Sequence, residues 1–217
     1  MRSFLTILFI LSSFAIGLSQ NIPDVPGSGK SSQDFVPDNY KLNDELSTDI
    51  NGDGKEDKVL ILEEDTDWYE DRPRIIAVVF NEGEGYQLKA QNNYIVMRVG
   101  HGGVWGDPYD GMSPAKNGFK LNFYGGSNWR WNITYQFRYE NVGFRLIGVE
   151  SVSIFTGDGR FEKWSYNFLS GKMKYSKGES HEDPGTESWH DLEISKPILL
   201  SDYVEGYEPD FYGGKKF

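Results

Sequence analysis

The feature that most constrains the fold of this chain is an unbroken alternation over residues 129–139. Every odd position holds an aromatic residue or Ile, and every even position holds a polar residue. In a helix these apolar side chains would be scattered around the axis, whereas successive side chains of a strand point to opposite faces. The segment is therefore predicted to be a β-strand with one apolar and one polar face.

The surrounding residues extend this strand into a meander. Strand-like runs recur at 119–123, 144–155, 164–168 and 173–175, and short turns containing Gly, Asn, Asp or Ser separate them. Short connections make neighbouring strands antiparallel. No segment shows a sustained helical period. We therefore predict an all-β fold with little helix, in which an antiparallel meander forms a sandwich or a strongly curled sheet.

Three apolar runs precede the meander. Residues 58–62 and 74–80 are short, rich in β-branched side chains and bounded by polar clusters, as buried strands are. Residues 94–99 are predicted to form another strand. The polar residues 176–188 are predicted to form a long loop that follows the meander.

Residues 1–19 have the three parts of a secretory signal peptide. Arg2 supplies a positive charge, residues 4–16 are mostly apolar, and Gly17 and Ser19 place small residues just before the cleavage point at Gln20. The alternative is a retained anchor, but a span needs about 20 apolar residues and this run is shorter. We therefore expect export to the periplasm or the extracellular space, with no membrane span after signal cleavage.

The mature chain divides into two parts. Residues 20–36, rich in Pro, Gly and Ser, are predicted to be a flexible linker with nothing to bury. Residues 37–217 are predicted to form a single β-rich domain. The mature chain has 21 basic and 33 acidic side chains, a net charge of −12, which argues against nucleic acid as a partner. The absence of Cys excludes disulfides and thiol chemistry.

The most specific motif is the loop Asp49-Ile50-Asn51-Gly52-Asp53-Gly54-Lys55-Glu56-Asp57. Calcium prefers six to eight oxygen ligands, and side chains at loop positions 1, 3 and 5 point inward when the backbone curls around an ion. Gly at position 6 permits the sharp turn. These spacings predict a structural Ca²⁺ site, against the alternative of an Asx-rich turn without an ion. The predicted ligands are the side chains of Asp49, Asn51, Asp53 and Asp57 and the carbonyl of Lys55.

This motif resembles the calcium loops of FG-GAP and VCBS-type repeats, which occur in secreted and cell-surface proteins. The resemblance covers residues 49–62 and implies a calcium loop that leads into a β-strand. Those families repeat the unit several times and this chain contains it once, so their propeller fold is not carried over. More loosely, the mature chain is similar to uncharacterised exported bacterial proteins with one such loop and a β-rich domain.

A glycine-rich segment at residues 100–111 is a second candidate site. Its glycines, aromatic rings, His and carboxylates suit a ligand loop, and the alternative is a connection whose glycines adopt positive φ. The candidate ligand-binding residues are His101, Trp105, Asp107, Tyr109 and Asp110. Aromatic residues of the meander are either core or a stacking platform for sugars: Trp129, Trp131, Tyr135, Trp164 and Tyr166.

Motifs for catalysis are few. The sequence has neither the Gly-x-Ser-x-Gly nor the His-Glu-x-x-His pattern. We therefore expect an exported calcium-binding β-domain that acts as a non-catalytic binding or structural module, with carbohydrate or a surface protein as the candidate partner. One alternative is an exported carboxylate-dependent hydrolase of polysaccharide or peptidoglycan, with residues 100–111 at its site. The other is a subunit of a cell-surface assembly.

Overall fold

The computed structural model of the protein describes residues 23–66, 72–180, 183–194 and 196–204. The predicted signal peptide lies outside these residues. The described chain is mostly β-structure, as predicted, and consists of two antiparallel sheets, one of them curled into a half-barrel. Three short 3-10 segments accompany the sheets: Ser32–Phe35, Val99–Trp105 and Leu200–Asp202.

The first sheet has five strands in the order β1-β5-β4-β3-β2. Their bounds are β1 Ser28–Gly29, β2 Tyr40–Thr48, β3 Asp57–Glu64, β4 Arg74–Asn81 and β5 Tyr86–Asn92. The second sheet is a seven-stranded meander in which each strand pairs with its neighbour in sequence. Its strands are β6 Tyr109–Ala115, β7 Gly118–Gly126, β8 Trp129–Glu140, β9 Gly143–Phe155, β10 Phe161–Asn167, β11 Lys172–Gly178 and β12 Thr186–Asp191.

The central strands β3 and β4 are buried on both faces, which explains why their sequences are continuous apolar runs rather than alternating ones. One face carries Val59, Ile61, Ile76 and Val78, which pack against the seven-stranded sheet in the main core. The opposite face, with Leu60, Leu62, Ile75 and Val79, belongs to a second, smaller core.

The prediction that residues 20–36 are a linker with nothing to bury is wrong for residues 23–36. Val25 and Phe35 complete the smaller core, and Phe35 is fully buried. Strand β1 pairs with β5, and the N–H of Val25 donates to Gln91 Oε1 at 2.8 Å. This segment covers the face of β3 and β4 that would otherwise be exposed, so its few apolar residues suffice to order it.

Residues 94–99 do not form the predicted strand. Asn92 ends β5, because its Oδ1 accepts hydrogen bonds from the N–H groups of Tyr94 and Ile95, both at 2.9 Å. The residues that follow are apolar because they are buried outside a strand: Ile95, Val96 and Val99.

The meander matches the predicted strands and turns, and the long polar loop is shorter than predicted. Strand β11 continues to Gly178 and β12 begins at Thr186, so parts of 176–188 are paired. In β8 the odd residues Trp131, Ile133, Tyr135 and Phe137 pack against the main core, as the alternation predicts. At its two ends, however, Trp129 and Tyr139 are 42% and 36% exposed, although the Tyr139 ring still contacts Phe80 and Phe144 of the main core.

Candidate metal loop and ligand-binding surface

The loop between β2 and β3 is closed by the side chain of its first residue. Asp49 Oδ1 accepts a hydrogen bond from the N–H of Gly52 at 2.7 Å, and its Oδ2 accepts one from the N–H of Gly54 at 3.0 Å. Both glycines have positive φ, 81° and 84°. This conformation strains other residues, so the glycine at position 6 has the role that the motif assigns to it.

The next two predicted ligands repeat the same local geometry. Asn51 Oδ1 accepts from the N–H of Asp53 at 2.8 Å, and Asp53 Oδ1 accepts from the N–H of Lys55 at 2.9 Å. The Lys55 ammonium also lies 3.9 Å from Asp53 Oδ2. Each side-chain oxygen has two acceptor sites. The curl therefore holds Asp49, Asn51 and Asp53 in place while leaving part of their acceptor capacity unused.

Asp57, the predicted ligand at position 9, has a different environment. It is fully buried. Its Oδ2 accepts hydrogen bonds from the N–H groups of Ile50 (3.0 Å) and Asn51 (3.3 Å), and its Oδ1 accepts one from Asn81 (2.9 Å). The carboxylate thus ties the loop to the end of β4. Across the described ranges, no three His, Cys, Asp or Glu side chains form a metal-binding group.

A buried ion network joins the two sheets, and the motifs of the sequence do not point to it. Arg74 is 1% exposed. Its Nη2 lies 2.5 Å from Glu63 Oε2 on β3 and 2.5 Å from Asp107 Oδ2 in the glycine-rich segment, and its Nη1 donates to the Met97 carbonyl at 3.2 Å. The sequence does contain a signal for the pair of Glu63 and Arg74. Glu63 follows one apolar run and Arg74 begins the next, and antiparallel pairing of the two strands places them opposite each other.

The network shifts the pKa values of Arg74 and Asp107. Burial lowers the pKa of the Arg74 guanidinium, but the hydrogen bonds with Asp107 and Glu63 raise it above its ordinary value. Partial burial raises the pKa of Asp107, while the hydrogen bonds from Arg74 and the Tyr109 N–H lower it overall. Glu63 has two further cationic contacts, since its Oε1 lies 3.1 Å from Arg72 Nε and 3.7 Å from the Lys41 ammonium. These contacts make both carboxylates members of a structural ion network.

Tyr109 is also part of the connection between the sheets. Its hydroxyl donates to Asp44 Oδ2 on β2 at 2.6 Å, and the Arg74 guanidinium lies 5.5 Å from the centre of its ring. Burial and the hydrogen bond to Asp44 raise the pKa of Tyr109. Two of the five predicted ligand-loop residues, Asp107 and Tyr109, are therefore held by structural contacts. His101, Trp105 and Asp110 are exposed.

Trp105 is the centre of an organised surface that we call the outer stack: Trp105, Tyr124 and Arg130. Trp105 is 54% exposed. The edge of Tyr124 meets its ring with the centroids 4.8 Å apart, and the Arg130 guanidinium lies 4.9 Å from the ring centre. Tyr124 and Arg130 lie on β7 and β8, on the face of the seven-stranded sheet that is turned away from the core.

Glycines allow this segment to lie directly on the sheet. A Cβ on Gly125 would be 3.0 Å from Gly102 Cα and 2.5 Å from the Trp131 ring. Gly103 and Gly106 adopt positive φ, 66° and 92°, on either side of Trp105. Gly111 also has a positive φ, 87°, so the expectation of positive φ holds for three glycines of the segment. The segment thus contacts the end of β7 three residues before Trp105.

A second group at the same end of the sheet consists of Trp129, Phe155 and Arg160, which we call the inner stack. The rings of Trp129 and Phe155 are 5.3 Å apart, and the Arg160 guanidinium lies 5.8 and 4.9 Å from their centres. Arg160 also pairs with Asp158 at 2.9 Å.

The other aromatic residues that were predicted as core or as a stacking platform belong to the core side. Tyr166 is buried, and Trp131, Tyr135 and Trp164 are half-buried against the main core.

A cleft of about 610 Å³ lies elsewhere, beside the five-stranded sheet. Prolines and carboxylates dominate its lining: Pro23, Asp24, Pro26, Val36, Pro37, Asp38, Asn39, Tyr40, Glu64 and Pro73. Burial and the neighbouring Glu64 raise the pKa of Tyr40 to about 12. The lining includes none of the residues that the sequence motifs single out.

No family model matches this chain, and no curated protein or solved structure is significantly similar to it. Within the described part of the chain, no helix is both long enough and apolar enough to cross a bilayer.

Proposed function

We propose that this protein is an exported, non-catalytic binding module that binds carbohydrate at the outer stack. The observation that carries the proposal is the arrangement of Trp105, which is 54% exposed yet held by Tyr124 and Arg130. A flat aromatic ring offers an apolar surface to the C–H face of a pyranose. Carbohydrate binding requires such a ring to be accessible and fixed in position.

The contacts around Trp105 hold its ring in position before a ligand binds. An immobilised side chain costs about 0.5–1.5 kcal/mol when it is ordered only on binding. Trp105 is already fixed by one edge-to-face ring contact, one guanidinium and the backbone of the glycine-rich segment. Exposed tryptophans and arginines also dominate the energetics of many binding surfaces.

We infer that the Asp49–Asp57 loop binds a structural calcium ion. The inference is supported by the side-chain oxygens of Asp49, Asn51 and Asp53 and by the backbone N–H groups that orient each of them in the same way. The Lys55 carbonyl remains a proposed ligand and is the fourth after these three side chains. We now assign Asp57 the different role of holding the loop closed, because its two oxygens already accept three backbone hydrogen bonds.

Binding to a panel of soluble polysaccharides by affinity electrophoresis tests the main proposal. Trp105→Ala should weaken the retardation of the protein by its ligand at least tenfold. Trp189→Ala is the matched control, since Trp189 is 66% exposed but lies on β12, the opposite edge strand from β6. Absence of retardation by every glycan, or equal loss in both variants, would overturn the proposed site.

The same variants address the alternative of a cell-surface assembly. Strand β12 is an edge of its sheet, and Trp189 is its exposed aromatic residue. If the protein associates with itself through this edge, Trp189→Ala should lower the mass measured by light scattering, while Trp105→Ala should not. Product analysis of the glycans after incubation tests the hydrolase alternative directly.

A further inference from the structure

Arg130 differs from the other arginines around it. In the described ranges, five arginines pair with a carboxylate: Arg72, Arg74, Arg138, Arg145 and Arg160. No such pair is found there for Arg130, although acidic residues outnumber Lys and Arg by 33 to 22 in the chain. An arginine without an acid partner therefore calls for a physical reason.

The guanidinium of Arg130 is nevertheless fixed in position. Its Nη1 donates to the Gly126 carbonyl at 2.8 Å, and its central carbon lies over the Trp105 ring, 4.9 Å from the ring centre. A guanidinium has five N–H donors, and this hydrogen bond uses one of them. The side chain is half-buried, so the ring contact and the carbonyl hold a charged fork with spare donors beside an exposed tryptophan.

We propose that the outer stack recognises a carboxylate-bearing saccharide, with the sugar ring on Trp105 and the carboxylate on Arg130. This inference rests on the proposed carbohydrate-binding function and specifies its ligand class. The planar guanidinium matches a carboxylate through two parallel hydrogen bonds, which Lys cannot reproduce. Asn132 lies on the same face two residues further along β8 and is exposed, so its amide is available to sugar hydroxyls.

The charges around the outer stack favour a ligand with one local carboxylate over a polyanion. The mature chain has a net charge of −12, so long-range forces repel polyanions. The nearby Arg160 is already paired with Asp158. Only Arg130 offers an uncompensated cation next to an exposed ring among the residues of the two stacks. We therefore expect a short acidic oligosaccharide to bind better than a densely charged polymer.

Calorimetric titration with trigalacturonate and with its methyl ester tests this inference. The two share one sugar backbone and differ in the carboxylates. The free acid should bind at least tenfold more tightly to the parent protein. Arg130→Gln should abolish that preference, and Arg130→Lys should restore little of it because the fork is lost. Arg160→Gln, the matched variant at the paired arginine, should retain the preference. Circular dichroism confirms that each variant is folded.

The outcomes separate this inference from the proposed function. If the acid and the ester bind equally, or if Arg130→Gln keeps the preference, the carboxylate assignment is wrong while carbohydrate binding stands. If neither binds but a neutral glycan binds in a Trp105-dependent way, the ligand class is likewise wrong. If a sulfated oligosaccharide binds as tightly as trigalacturonate, the site recognises anions in general and the specific assignment to carboxylate fails.

Discussion

Two groups of acidic residues in this protein have opposite environments. The loop over residues 49–57 displays Asp49 and Asp53 at the surface, where backbone N–H groups orient them. The network around Arg74 buries Glu63 and half-buries Asp107; Arg74 pairs with both carboxylates, and Arg72 and Lys41 also contact Glu63. The first arrangement leaves acceptor capacity for an ion, while the second uses its charges to join two sheets. Acidic residues alone therefore do not indicate a site, since their partners decide what they do.

The strongest test of this contrast is removal of the buried cation. Arg74→Met should lower the free energy of unfolding by about 3–5 kcal/mol, because the buried Oε2 of Glu63 would lose its cation while Arg72 and Lys41 contact only Oε1. Urea denaturation measures the loss. Lys172→Met is the matched control, since the Lys172–Asp191 pair is exposed and a surface pair contributes about 0–1 kcal/mol. Similar losses in the two variants would contradict the structural role of the network.

The second test concerns Asp57. This residue belongs to the loop in sequence, but its carboxylate is buried like that of Glu63 in the network around Arg74. Asp57→Ala removes the acceptor of three backbone N–H groups. An unsatisfied buried donor costs about 1–3 kcal/mol, so we expect a loss of about 2–4 kcal/mol. Asp57→Asn, which keeps one acceptor oxygen, should lose less. The loss should be the same in calcium and in chelator; a loss seen only with calcium present would make Asp57 a ligand after all.

The third test addresses the exposed residues of the loop. Calcium that binds only the folded protein stabilises it by about 2.7 kcal/mol at a hundredfold excess over the dissociation constant. Chelation should therefore lower the melting temperature and calcium should restore it. Asp53→Ala should remove this response, whereas Asp65→Ala, an exposed carboxylate after β3, should retain it. A calorimetric titration without heat at millimolar calcium would reduce the loop to an Asx-rich turn.

The same contrast explains what the sequence could and could not predict. The loop and the meander depend on neighbours in sequence, so spacing and alternation were enough to predict the curl at Asp49 and strands β7 to β11. The link between Arg74 and Asp107 joins residues 33 positions apart, and only the packing of the two sheets creates it. The outer stack likewise joins residues 105, 124 and 130 from three different elements, which no periodicity indicates.

The missed strands have local causes. Strand β6 contains Gly111 and Pro114, which interrupt a strand pattern but are tolerated at the edge of a sheet. Strand β12, at the other edge, has a single large apolar residue, Trp189. In β2 a bulge between Leu42 and Asp44 breaks the alternation. These strands are specified by their partners more than by their own sequences.

The smallest expected effect is a pH dependence at Asp107, where the network reaches the surface. The pKa of this carboxylate is below its ordinary value of 3.8 in the folded protein, because the hydrogen bonds from Arg74 outweigh partial burial. A depressed folded-state pKa gives stability that is present above the ordinary pKa and is lost as the pH falls through the folded value. Asp107→Asn should therefore lower the melting temperature at pH 7, and the difference from the parent protein should shrink below about pH 4. Asp110→Asn, at an exposed neighbour, should show no such change. A deficit in Asp107→Asn that is constant from pH 7 to pH 3 would mean that Asp107 stabilises the junction by hydrogen bonding alone and that its charge contributes nothing.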